Sequence, residues 1–296
     1  MPVKLIGALL ALVAGVLAVA LAALLLHDTP GPASLGAAPT PLAPAPPPAP
    51  TFPAPPAGAI VFAREDGPDA LALAVTASSV QVSIVGQQSV GVSGLAVSAN
   101  GVRAASCGAG CYRAAAARVH TVDVRVGSTR WLVRIPEARD ATALVARAAR
   151  VWRALRSVAF TDRLGSDATH VVFSDWRAVA PDRIAYSVRG GYSAVIVGGR
   201  RWDRAPHGKW VESPQTAPVT QPVPLWQSAR DAHVVGETAG TLRITFYDPR
   251  TPAWFAIVVD RRTLHTLDLR MITAAHFMHE RYGSFDAALA VKPPTS

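Results

Sequence analysis

The chain begins with an uninterrupted apolar run over residues 5–26, which contains no charged or strongly polar side chain. These 22 residues would extend about 33 Å as an α-helix, enough to cross the core of a bilayer. A core helix of a soluble protein would carry a polar face, and this run has none. The pattern therefore predicts a transmembrane anchor over residues 1–27, with a cleaved signal peptide as the alternative.

The charges that flank this run predict its orientation. Lys4 and the N-terminal amine precede the apolar residues, and Asp28 follows them. Because positive charge is retained on the cytoplasmic side, the N-terminus is expected in the cytoplasm and residues 28–296 outside it. The chain is thus predicted to be a single-pass cell-membrane protein with extracytoplasmic domains.

A proline-rich segment follows the predicted anchor over residues 28–57. Twelve prolines lie within residues 29–56, mixed mainly with alanine, threonine and glycine. Proline lacks a backbone N–H and fixes φ, so such a segment builds neither helix nor sheet. An extended linker, or stalk, is expected here, of roughly 85 Å at full reach.

The apolar periodicity changes to two in residues 58–136. Val80, Val82 and Ile84 alternate with polar residues, which predicts a half-buried strand. Asn100-Gly101 predicts a type I′ hairpin turn, because both central positions of that turn require a positive φ. Regularly spaced short strands with glycine turns predict a small all-β sandwich.

The only two cysteines, Cys107 and Cys111, lie in the sequence SCGAGCYR of this segment. In an exported domain, this spacing around a Gly-Ala-Gly turn is most simply a structural disulfide. Its short loop would contribute only about 2 kcal/mol in the chain-entropy model. A zinc site would need two further ligands, and a redox motif is typically C-x-x-C; both alternatives stay open.

Residues 138–287 combine one helical pattern with many strand patterns. Asp140 is the predicted N-cap of an amphipathic helix whose apolar positions recur at helical spacing from Leu144 to Leu155. Later strands, separated by turn residues, are predicted over 183–188, 194–197, 200–203, 242–247, 254–260, 264–271 and 274–282. The pattern predicts an α+β domain with a large curved antiparallel sheet. Residues 288–296 form a tail.

Two stretches of sequence in this second segment resemble a known superfamily. PDRIAYSVRGGYSAVIVGGRRWDR and YDPRTPAWFAIVVDRRTLHTLDLRM are similar to the lipoprotein carriers of bacterial envelopes, over roughly residues 140–285. That superfamily includes the lipoprotein-sorting chaperone and the mycobacterial lipid-carrier lipoproteins. The resemblance implies a half-barrel sheet with helices over an apolar cavity, and a lipid or other hydrophobic ligand.

A second resemblance covers both globular segments. Together with SCGAGCYRA and MITAAHFMHERYGSF, they are similar to the extracytoplasmic C-terminal region of actinobacterial copper-resistance membrane proteins. Those proteins carry a multi-helix membrane domain, whereas a single membrane helix is predicted in this chain. The resemblance implies a bacterial envelope protein connected with copper.

The net charge of the chain and the motifs that its sequence lacks argue against several classes of function. The formal net charge is +9, but the basic residues are scattered and form no dense run, so no nucleic-acid partner is predicted. The sequence contains no nucleophile-elbow motif, no phosphate-binding Walker loop and no dinucleotide fingerprint. The aspartates of the second segment mostly lie at predicted turns, where they bond the backbone. A non-catalytic protein is therefore expected.

Tryptophans are the candidate ligand-binding residues. Trp176, Trp202, Trp226 and Trp254 all lie in the second segment, where they are predicted to line an apolar cavity. The alternative is that each one simply packs in the core.

A candidate metal site lies near the C-terminus. Met271, His276 and Met278 carry thioether and imidazole groups, which suit copper and particularly Cu(I). His276 and Met278 would share one face of a strand. The alternative is that these side chains are packed or hydrogen-bonded, and no other cofactor is predicted.

The sequence thus predicts a membrane-tethered extracytoplasmic binding protein for a lipid or other hydrophobic ligand. One alternative is an envelope copper-binding accessory protein. The other is a structural ectodomain that docks an unidentified protein partner.

Overall fold

The computed structural model describes residues 53–116, 119–215, 217, 219–274 and 276–295. The predicted anchor over residues 1–27, and the linker as far as residue 52, lie outside the described residues. Within the described ranges, no helix is both long and apolar enough to cross a membrane.

Nine strands lie in the part of the first segment that the structure describes. They are β1 Ile60–Asp66, β2 Asp69–Val75, β3 Ser79–Val85, β4 Val97–Ala99, β5 Val102–Arg103, β6 Ala105–Gly108, β7 Cys111–Ala115, β8 Thr121–Val126 and β9 Thr129–Arg134. They form an antiparallel five-stranded sheet, in the order β1-β2-β3-β7-β6, and a four-stranded sheet, in the order β5-β4-β8-β9. Apolar side chains from both sheets form one core, as expected for the predicted sandwich.

The sequence signals of this segment correspond to local structure. Val80, Val82 and Ile84 are buried in the sandwich core. Asn100 and Gly101 have φ values of 51° and 77° and connect β4 to β5, as a type I′ turn requires. Cys107 and Cys111 form the predicted disulfide, with their Cα atoms 5.0 Å apart.

The prediction that β3 is only half-buried is wrong. Gln81 and Ser83, on the face away from the sandwich core, are also buried. Gln81 Nε2 donates to the carbonyl oxygen of Ala54 at 2.9 Å, and Arg113 Nη2 donates to Gln81 Oε1 at 2.8 Å. Because these bonds satisfy the amide, a polar side chain is accommodated where the alternation predicts exposure to solvent.

The described residues of the second segment contain one helix and twelve strands. They are β10 Arg139–Asp140, α1 Thr142–Ala154, β11 Ser157–Gly165, β12 Val171–Val179, β13 Arg183–Val188, β14 Ser193–Val197, β15 Arg200–Arg204, β16 Trp210–Pro214, β17 Arg230–Glu237, β18 Thr241–Asp248, β19 Ala253–Asp260, β20 Thr266–Thr273 and β21 His276–Gly283. Each predicted strand of this segment ends within two residues of the observed limits.

All twelve strands belong to one antiparallel sheet. Its order is β10-β17-β18-β19-β20-β21-β11-β12-β13-β14-β15-β16, and the sheet is open rather than closed into a barrel. The strand that follows the helix, β11, pairs with the last strand, β21, so that Ala159 lies opposite Gly283. The strand after the helix and the last strand of the segment are therefore neighbours in the middle of the sheet.

The helix α1 packs on one face of this sheet, which we call the helix face. Val145, Ala148 and Trp152 are buried there among side chains of the central strands. Trp152 Nε1 donates to Thr266 Oγ1 at 2.9 Å. The prediction that Asp140 is the N-cap is wrong: the N-cap is Ala141, and Asp140 lies in β10.

The other face of the sheet, which we call the back face, is partly covered by the sandwich. Tyr247, Trp254, Ile272 and Phe277 are consecutive register neighbours on β18, β19, β20 and β21. They pack against the small residues Ala59, Val61, Ala70, Ala72 and Ala74 of the first segment. Small side chains let the two layers approach closely, and the central strands are consequently buried on both faces.

The end of the linker contacts both segments. Besides the bond to Gln81, the carbonyl oxygen of Pro55 accepts from Arg230 Nη2 at 2.7 Å. The backbone N–H of Gly58 donates to Asp231 Oδ1 at 2.7 Å. The residues at the boundary between linker and globular part are thus fixed to β17 as well as to β3.

Enlarging one alanine of this interface should destabilise the protein. Ala72→Leu adds three carbon atoms to the tightly packed contact between the two segments. We therefore expect the free energy of unfolding to fall by about 1–3 kcal/mol. Ala115→Leu is the matched control, because Ala115 lies at the exposed end of β7. Urea unfolding of the full chain measures both. Equal stability of the two variants would contradict close packing between the segments.

Candidate functional site

A cleft of about 1170 Å³ lies between the sandwich and the back face of the large sheet. One wall comes from β1 and β9, each of which is the edge strand of one sandwich sheet. The floor comes from β18, β19 and β20. The seam between the two sandwich sheets therefore opens towards the back face.

The inner part of the cleft is apolar. Ala256 and Val258 of β19, which are only partly buried, line its floor beside the packed contact of Trp254 with Val61. Trp131, which packs against the sandwich core, lines the seam. A ligand entering here would exchange water for aliphatic and aromatic surface, which favours binding of an apolar group.

The rim of the cleft is rich in arginine. Arg134, Arg243 and Arg270 are exposed, and none of them has an ion-pair partner among the described residues. The acidic residues of the rim are Glu137 and Asp268, and Asp268 Oδ2 already lies 2.7 Å from His279 Nε2. The rim therefore has an excess of positive charge, and guanidinium groups bind carboxylates and phosphates well.

Two polar atoms that line the cleft lack partners. Thr245 Oγ1 and Arg64 Nε are buried, and neither has a hydrogen-bond partner in the described part of the chain. The Arg64 guanidinium lies 5.4 Å from the centroid of the Trp131 ring, and its Nη2 bonds Asp66 Oδ1 at 3.1 Å. Buried polar atoms usually have partners, so these two are exceptions among the described residues.

The four candidate tryptophans do not lie in one cavity. Trp254 lines the cleft and packs against the sandwich, on the back face. Trp202 is also on the back face, but near the β16 edge, where the Arg200 guanidinium lies 4.8 Å from its ring centroid. Trp226 is buried beneath the helix with Phe246 and Phe255.

The fourth tryptophan, Trp176, belongs to a row of stacked rings on the helix face. Its ring centroid lies 5.6 Å from that of Phe160 and 4.3 Å from that of Tyr186, on the two neighbouring strands. The row continues from Phe160 to Tyr282, which contacts Trp152 of the helix. The aromatic row thus extends the core beyond the helix.

The three metal-site candidates come close together. Met271 lies directly opposite Met278 on adjacent strands, and His276 is two residues from Met278 on the same face. Both methionines are buried in the core beneath the helix. His276 Nδ1 lies 3.2 Å from the carbonyl oxygen of Ala274. In the described part of the chain, no group of three or more His, Cys, Asp and Glu residues is placed to hold a metal ion.

Two buried carboxyl groups form the chemically most unusual pair of the structure. Asp162 and Glu280 are directly opposite each other on β11 and β21, and both are buried. Tyr282 Oη donates to Glu280 Oε2, and Ser174 Oγ donates to Asp162 Oδ2 at 3.5 Å. Asp162 Oδ1 has no hydrogen-bond partner among the described residues.

Burial has a large effect on the ionisation of this pair. It raises the pKa of Asp162 to about 7. The pKa of Glu280 lies well above its usual value, because of burial and of the nearby Asp162 charge. The two residues lie far apart in the sequence, no motif connects them, and no strand is predicted around Asp162. Only the β11–β21 pairing brings them together.

No protein-family model matches this chain, and no curated protein matches it in sequence.

The carboxyl pair predicts that stability falls as pH rises. The folded state holds protons that the unfolded state releases near pH 4, so this contribution to stability is complete below pH 4. It is lost as pH rises through about 7, the folded pKa of Asp162. One group contributes a slope of at most about 1.4 kcal/mol per pH unit.

Asp162→Asn removes one of the titrating groups. We expect the loss of unfolding free energy between pH 5 and pH 8 to be smaller in this variant than in the unmodified chain. Urea unfolding at several pH values measures it, with Asp175→Asn, an exposed position on the adjacent strand, as the control. An unchanged loss in Asp162→Asn would show that Asp162 ionises without cost in the folded state.

Proposed function

We propose that the chain is a membrane-tethered, extracytoplasmic, non-catalytic binding protein for a lipid or similar amphipathic molecule. The cleft between the sandwich and the back face is the observation that carries this proposal. Its volume is about 1170 Å³, which exceeds the roughly 300–1,000 Å³ of typical small-molecule pockets. An elongated apolar ligand fits such a volume.

The distribution of side chains supports an amphipathic ligand. The apolar part would lie along Trp131, Ala256 and Val258, which line the cleft and are only partly buried. An acidic headgroup would lie at the rim, within reach of Arg243 and Arg270, which carry no ion pair in the described part of the chain. The ligand class therefore follows from an apolar floor combined with a cationic rim.

This proposal keeps the ligand predicted from the sequence but changes its position. The carrier resemblance implies a cavity between helix and sheet, whereas the space beneath α1 is occupied by buried side chains such as Trp226, Phe246 and Phe255. The cleft instead uses the back face, and it needs the sandwich as its second wall. Both globular segments would then be required for binding.

Filling the cleft should abolish lipid retention. Ala256 lies half-exposed on the cleft floor between Thr245 and Arg270, so Ala256→Trp would place an indole in the space of the acyl chain. We purify the full chain and this variant in the same neutral detergent and quantify extracted lipid by mass spectrometry. We expect at least a fivefold lower molar ratio of lipid to protein in Ala256→Trp.

A second variant tests the cationic rim. The double change Arg243→Gln and Arg270→Gln should reduce retained acidic lipid several-fold, because it removes both guanidinium partners of the headgroup. The control for total charge is the double change Arg103→Gln and Arg147→Gln. Both arginines are exposed and are distant in sequence from Arg243 and Arg270. Equal lipid ratios in all four proteins, with unchanged thermal unfolding, would contradict the cleft as the ligand site.

A copper-binding role is a second candidate, because Met271 and Met278 face each other beside His276. If it is correct, the full chain binds one Cu(I) in a competition titration against a chelator. The double change Met271→Leu and Met278→Leu conserves volume and should weaken that binding by more than tenfold. His170→Ala, at an exposed histidine, is the control. Equal affinity in all three proteins would exclude the methionine pair.

A further inference from the structure

A second depression, of about 770 Å³, crosses the large sheet away from the cleft. Its lining comes from seven neighbouring strands, β21, β11, β12, β13, β14, β15 and β16. At a strand spacing of ~4.8 Å, the six intervals between these strands amount to about 29 Å. We call this depression the trough, and its length across the strands suits a linear ligand.

The trough forms because the back face carries small side chains here. Ala159, Thr161, Ala185, Ser187 and Ser193 lie on the face opposite to the aromatic row, since they alternate with Phe160, Tyr186 and their neighbours. Ser193 Oγ donates to Ser187 Oγ at 3.1 Å. The floor of the trough therefore lies below the surrounding surface, and it bears hydroxyl groups.

One end of the trough has an aromatic wall. Trp210 of the edge strand β16 lies opposite Arg204 of β15, and the Arg204 guanidinium is 4.6 Å from the ring centroid. The indole is only partly buried. The Arg204 guanidinium covers one face of the ring, so the opposite face is the apolar surface that remains for a ligand.

The charged groups of the trough leave a positive excess. Arg177, Arg204 and Arg281 line it, together with a single acidic residue, Asp175. Arg189 Nη2 already lies 3.2 Å from Asp175 Oδ1. Arg177 and Arg204 have no ion pair among the described residues. An occupant that carries carboxylate or phosphate groups is thus favoured.

We infer that the trough is a second binding site, whose ligand is a linear anionic glycan. The Trp210 ring would stack on the apolar C–H face of a sugar ring. The serine and threonine hydroxyls would bond sugar hydroxyl groups, and Arg177 and Arg204 would bind the acidic substituents. The site is separate from the proposed lipid cleft, because the two linings share no residue.

Single-stranded nucleic acid is the other linear polyanion, and the trough suits it less. Its binding sites present several aromatic rings on which successive bases stack. Among the described residues that line the trough, only Trp210 offers a ring on the back face. The side chains of Phe160, Trp176 and Tyr186 form the aromatic row on the helix face.

Calorimetric titration of the full chain with galacturonate oligomers tests the inference. We expect saturable binding at low salt, and an affinity at least tenfold lower in Trp210→Ala and in the double change Arg177→Gln with Arg204→Gln. Val211→Ala is the matched control, because Val211 is an exposed neighbour on β16 whose side chain points to the helix face. It should keep full affinity.

Three results would overturn the inference: no binding of galacturonate oligomers, tighter binding of an oligothymidylate of equal charge, or an equal loss of affinity in Val211→Ala. Neutral dextran oligomers of equal length should bind at least tenfold more weakly than galacturonate. The lipid ratio of Trp210→Ala should match that of the unmodified chain. Failure of the glycan site is therefore separable from failure of the proposed lipid cleft.

Discussion

The structure depends on the need to cover both faces of four central strands, β18, β19, β20 and β21. Neighbouring residues such as Phe246 and Tyr247, or Trp254 and Phe255, point to opposite faces, and all four side chains are buried. A sheet that is apolar on both sides requires a layer on each. The helix α1 provides one layer, and the alanine-rich strands of the sandwich provide the other. We therefore expect each segment to depend on the other for stability, although the sequence separates them near residue 137.

Much of the local structure could be predicted because its causes are local. The helix, the Asn100-Gly101 turn and the short Cys107–Cys111 disulfide each depend on residues a few positions apart. Alternation also identified most strands of the second segment to within two residues. The alternation wrongly predicts that the Gln81 side chain is exposed. The carbonyl and guanidinium groups that satisfy this amide come from distant parts of the chain. The periodicity of a sequence reflects which residues are polar, but it does not reveal the distant groups that form hydrogen bonds with them.

The candidate site was much harder to predict, because it depends on which face each residue occupies and on long-range pairing. Trp176 and Trp202 lie on opposite faces of the sheet, and no property of tryptophan itself distinguishes them. The cleft combines Val61 with Ile272, and the carboxyl pair combines Asp162 with Glu280. The first combination follows from a contact between layers, and the second from the pairing of β11 with β21. The sequence shows the chemical type of each of these residues, but it does not show which residues lie next to them in the fold.

The open ends of the large sheet have a further consequence. An unpaired strand edge can recruit a strand from another molecule, and the membrane tether that we propose would raise this risk by concentrating the protein in two dimensions. The edge strand β10 contains only two residues, Arg139 and Asp140, both exposed and charged. The other edge strand, β16, ends at Pro214, which cannot donate a hydrogen bond, and carries an outward Glu212. Both edges are thus poor templates for aggregation, which would allow many copies to crowd on one surface while remaining separate molecules.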